Sequence, residues 1–114
     1  MIVLVTCSGV SNTGKLTTQT AISLMQRWPG RFLWTHAKKS AASLKEECTG
    51  GEQVIVIDGC GDCCASKKLA AANTRSHIHI ITTDLGIEKN GMADVQYQEI
   101  ERVVAAVQCA LSGK

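Results

Sequence analysis

The chain has 114 residues, 45% of them hydrophobic and 19% charged, with a formal net charge of +2. That length suits one domain able to bury a core of its own, here taken as residues 1–114. The balance excludes a disordered chain, and the small charge gives no reason to expect nucleic acid as a partner.

The elements follow in chain order. Residues 2–6 (Ile-Val-Leu-Val-Thr) are a continuous apolar, β-branched run, the pattern of a strand buried on both faces. They lack the basic region and cleavage site of a signal peptide. No apolar run approaches the roughly 20 residues that span a bilayer, so no membrane is expected. The loop Cys7–Thr13 is rich in turn and cap residues. Leu16, Thr20, Ala21, Leu24, Met25 and Trp28 then recur at helical spacing until Pro29-Gly30. Phe32-Leu33-Trp34 forms a short second strand, a helix covers about 38–48, and Gln53–Ile57 is the clearest strand in the chain. Asp58-Gly59-Cys60-Gly61-Asp62-Cys63-Cys64 follows it. A helix over 65–73, a strand over 77–82, a loop over 83–91 and a last helix over about 94–111 complete the series. The alternation predicts an α/β fold: a small Rossmann-like three-layer domain of about four parallel strands, with helices on both faces.

In open parallel sheets, functional groups gather beyond the carboxyl ends of the strands. Cys7 follows strand one, His36 strand two, the 60–64 cluster strand three and Asp84 strand four. Cys48 lies at the opposite edge and Cys109 late in the last helix, where each fits as a buried or incidental thiol. The cysteines point to a reducing, cytoplasmic setting, where clustered thiols serve metal or thiol chemistry more often than disulfides. Thiolate and imidazole are the ligands zinc prefers, usually four in a tetrahedron. His77 and His79 alternate along a strand and read as structural.

Gly9-Val-Ser-Asn-Thr-Gly14-Lys15 is similar to a phosphate-cradling P-loop, with Asp58 as the corresponding Mg²⁺ partner. It departs where a hydroxyl should follow the lysine, because Leu16 stands there and Thr17 comes one residue late. Cys7 in its Ser-Gly loop is also similar to phosphocysteine systems, the low-molecular-weight tyrosine phosphatases and the cysteine-bearing sugar phosphotransferase subunits. The phosphatases' anion-binding arginine has no counterpart near Thr13 or Gly14. Neither likeness accounts for residues 60–64.

Cys7-Ser8-Gly9, Ser11-Asn12, Gly14-Lys15-Leu16, Ile57-Asp58-Gly59-Cys60, Cys64-Ala65-Ser66-Lys67-Lys68-Leu69 and Thr83-Asp84-Leu85-Gly86-Ile87-Glu88-Lys89 together resemble the DGC-domain family. That family is named for its Asp-Gly-Cys motif, and the likeness runs from residue 1 to about 105. The resemblance implies a zinc site of four cysteines without an established activity. Its Cys-x-x-x-Cys pair falls on Cys60 and Cys64, which leaves Cys63 outside the usual ligand positions. Its first cysteine falls on Cys7. His36 stands nearest the remaining position, after strand two, with Cys63, Cys48 or water as alternatives. The expected metal ligands are therefore Cys7, His36, Cys60 and Cys64, binding Zn²⁺. A metal-binding module is favoured over an enzyme, because no evident acid–base pair accompanies the cysteines. The alternatives are a phosphate- or nucleotide-binding enzyme using the Gly9–Lys15 loop, and a thiol-redox or phosphocysteine protein using Cys7 or Cys63–Cys64.

Overall fold

The computed structural model describes residues 1–113. Four strands, β1 (Ile2–Thr6), β2 (Phe32–His36), β3 (Gln53–Asp58) and β4 (Ile78–Ile81), form one sheet in the order β2-β1-β3-β4. Every pairing is parallel, as the alternation of elements predicts. The helices are α1 (Asn12–Arg27), α2 (Ala41–Thr49), α3 (Cys64–Ala71) and α4 (Tyr97–Ser112), with a 3₁₀ turn over Thr82–Leu85.

Two cores lie on opposite faces of the sheet. Ile2, Leu4, Ile55 and Ile57 pack with Leu16, Ala21 and Leu24 of α1 and Val103, Val104 and Val107 of α4. Val3, Val5, Val54 and Val56 pack with Leu44 and Cys48 of α2 and Ala65 and Leu69 of α3. Successive strand residues point to opposite faces, so each strand is divided between the two cores.

Local chemistry sets the helix starts. The Ser11 hydroxyl accepts from Gly14 N and begins α1, and the Ser40 hydroxyl accepts from Ser43 N and begins α2. Helix α4 begins at Tyr97, three residues later than the periodicity predicts. The Gln96 and Glu99 side chains exchange backbone contacts in a capping box there, with Gln96 N donating to Glu99 Oε1 at 2.8 Å.

Three loops meet above the sheet. The buried Asn12 donates to the Glu88 carbonyl at 2.8 Å and accepts from Asn90 N at 2.6 Å, and its own N–H donates to the Gly91 carbonyl. This ties the 88–91 loop to the start of α1. A Cβ on Gly14 would lie 2.6 Å from the Cα, C and O of Gly9, and one on Gly59 would lie 2.9 Å from the Thr13 carbonyl carbon. Backbone cannot yield as a side chain can. Gly14→Ala should therefore lower stability by about 2–4 kcal/mol, read as an earlier urea midpoint at unchanged slope. A midpoint equal to that of the parent chain would show that the loops part freely.

Candidate metal centre

The centre begins with Asp58, the last residue of β3. Its side chain is fully buried, yet it lies at the carboxyl edge and faces the start of α3. Oδ1 accepts from Ala65 N at 2.8 Å, and Oδ2 accepts from Ser66 N at 3.3 Å. Asp58 thus takes the role that an N-cap side chain usually fills, and the carboxylate complements the positive end of the helix. Cys63 stands at the cap position itself but makes no side-chain cap bond, and its backbone is left-handed at φ 51°. A non-glycine residue in that region carries local strain.

His79 of β4 lies on the same face. It is level with Val56 in the register, and its Nε2 is 2.8 Å from Asp58 Oδ2. Among the described residues, Asp58, Cys63 and His79 are the one group of three or more such side chains whose potential ligand atoms all lie within 4.8 Å of one another. Sulfur, imidazole nitrogen and carboxylate oxygen all occur in zinc sites, so the donor chemistry fits a transition metal. A carboxylate beside an imidazole is also the arrangement that orients a metal-binding histidine. Burial, then the nearby Asp58 carboxylate, push the Cys63 thiol above its ordinary range.

The ligands expected from sequence are divided by this geometry. Cys7 packs against the α2/α3 core, on the face of Asp58 and His79, and accepts from Gly59 N at 3.3 Å. Cys60 lies at the head of the 60–63 turn, with Lys89 Nζ 3.7 Å and Asp62 Oδ2 3.6 Å from its sulfur. Cys64 opens α3 with an exposed side chain.

His36 is on the other face. Its register partner is Thr6, and its ring centroid is 6.1 Å from that of Trp34, which packs on the α1/α4 core. Trp34 Nε1 donates to Thr6 Oγ1 on that side, and no hydrogen bond engages the buried His36 Nδ1. One residue of strand register separates Cys7 from His36, and alternation turns that step into opposite sides of the sheet. No three of Cys7, His36, Cys60 and Cys64 meet within 4.8 Å among the described residues.

His79, which reads as structural in the sequence, and Cys63, which stands there only as an alternative fourth ligand, are the residues brought together. No signal in the sequence pairs His79 with Asp58, because their shared face follows from the register of β3 and β4, which sets His79 level with Val56. His77, by contrast, accepts from Val54 N at 3.0 Å and closes the start of β4. Cys48 is buried under α2 at the far edge, and burial, then Glu47, raise its pKa. Cys109 is exposed on α4.

The glycine loop departs structurally from a nucleotide-binding loop at the same place as in sequence. Leu16 is buried in the core, and the Thr17 hydroxyl donates to the Gly14 carbonyl at 2.7 Å. The carboxylate that would serve Mg²⁺ is engaged by α3 and His79. No helix among the described residues is long and apolar enough to cross a membrane.

A parallel α/β sheet with thiols, an imidazole and a buried carboxylate at its carboxyl edge defines a small protein with a candidate metal centre. The DGC domain family matches residues 3–107, nearly the whole chain, and the chain belongs to that family. No curated protein and no solved structure matches it.

Proposed function

We propose that the chain is a cytoplasmic zinc-binding module, with its metal beside Asp58 at the carboxyl edge of the sheet. The observation that carries this reading is the Asp58–Cys63–His79 group, whose ligand atoms converge within 4.8 Å. The family resemblance contributes Cys7 and Cys60 as thiolates; both lie at this edge but outside the 4.8 Å group, so metal binding would draw their loops in toward Cys63 and His79. His79 supplies nitrogen in place of His36, because it shares the face of Cys7. Cys63 supplies the fourth ligand in place of Cys64, because its sulfur lies by His79. Asp58 orients the imidazole and anchors α3. Four protein ligands make a closed site, and bound zinc would tie the loops after β1, β3 and β4 into one unit. Six free thiols suit a reducing compartment.

Metal analysis of zinc-supplemented protein should give about one zinc per chain. Affinity should climb with pH, because binding displaces thiol protons and the Cys63 proton is held more tightly than usual. A chain that retains no zinc after desalting, or whose affinity is flat from about pH 6 to 8, would refute the reading.

A further inference from the structure

The turn that carries the thiols has a property that metal binding alone does not require. Cys63 N donates to the Cys60 carbonyl at 3.1 Å, an i to i+3 bond that closes a tight turn. Such turns hold their end Cα atoms within about 7 Å, and disulfides span about 4.4–6.8 Å. The turn is uncrowded at Gly61, where a Cβ would meet nothing within 4 Å. Cys60 is partly exposed at the head of this turn, open to a small disulfide from solvent. Cys48 is buried at the far edge and does not compete, and Cys7 lies outside the turn, where its sulfur accepts from Gly59 N. Cys64 is the direct neighbour of Cys63, and a bridge between adjacent residues strains the peptide bond that joins them.

We propose that Cys60 and Cys63 form a thiol–disulfide switch that releases the metal, an inference that rests on the zinc-binding reading above. The oxidant is a small disulfide of the glutathione class. The Cys60 thiolate attacks one sulfur of that disulfide, its S–S bond breaks, and one glutathione thiolate leaves. Cys63 then attacks the Cys60 sulfur of the mixed disulfide, and the second glutathione thiolate leaves. The two cysteines lose two electrons and glutathione disulfide gains them. The leaving thiolates take protons from the cysteines in metal-free chain, or from solvent in zinc-loaded chain. Two of the four proposed ligands are lost, and zinc departs.

The test uses the full chain, zinc-loaded and metal-free, treated with glutathione disulfide. Peptide mapping by mass spectrometry should find a Cys60–Cys63 bridge in both. A chromophoric chelator should report zinc release in step with bridge formation. Cys48→Ser and Cys109→Ser should leave the reaction unchanged. The switch is overturned if metal-free chain yields no Cys60–Cys63 bridge, if the bridge joins Cys64 instead, or if bridged chain keeps its zinc. Failure of the zinc-binding reading would show separately, as no zinc uptake before oxidant is added.

Discussion

Asp58→Ala is expected to lower stability by about 2–4 kcal/mol, because it leaves a buried backbone N–H without an acceptor, at about 1–3 kcal/mol, and removes the cap of α3. Three donors depend on this carboxylate: the backbone N–H groups of Ala65 and Ser66 and the His79 ring. Alanine offers none of them an acceptor. Ala65 is itself fully buried, so water cannot replace the lost bond without opening the α2/α3 core. Asp58→Asn keeps the shape and one acceptor oxygen, but its amide N–H₂ faces donors. Its loss should be smaller, about 1–3 kcal/mol. Urea unfolding of the metal-free protein measures both without interference from zinc. A loss below about 1 kcal/mol in Asp58→Ala would mean that α3 starts without this cap.

The second large effect concerns the metal. His79→Ala should abolish stable zinc retention, whereas His36→Ala should retain the metal. The two histidines lie on opposite faces of the sheet. Cys7 and Asp58 point toward α2 and α3, and His79 reaches Asp58 from the neighbouring strand. His36 points toward Trp34 and Thr6, on the far side of a close-packed sheet. Zn–N and Zn–S bonds are only about 2.0–2.3 Å long, so a ligand cannot serve through the sheet. Cys7→Ser, Cys60→Ser and Cys63→Ser should each lose zinc severely, while Cys64→Ser and Cys48→Ser should not. Zinc content after desalting reads all seven. Loss in His36→Ala with retention in His79→Ala would invert the assignment and place the metal over the β1–β2 edge. Loss in Cys64→Ser with retention in Cys63→Ser would place the first turn of α3 differently around the ion.

The alternating elements are legible in the residues alone, because uninterrupted apolar runs at 2–6 and 53–57 and helical spacing at 16–28 and 95–111 leave little else for these segments to become. So are the carboxyl-edge gathering, which follows from parallel strands alone, and the family, whose match spans residues 3–107. The residues alone do not determine which face each edge residue occupies. Strands β1 and β3 are buried on both sides, so hydrophobic and polar residues do not alternate along them, and the parity that separates Cys7 from His36 leaves no trace in composition. Strand register in the folded chain fixes that parity. The tertiary fold also sets the partners of Asp58, since a carboxylate that caps a helix seven residues later and meets a histidine twenty-one residues later is joined to them only across the packed edge.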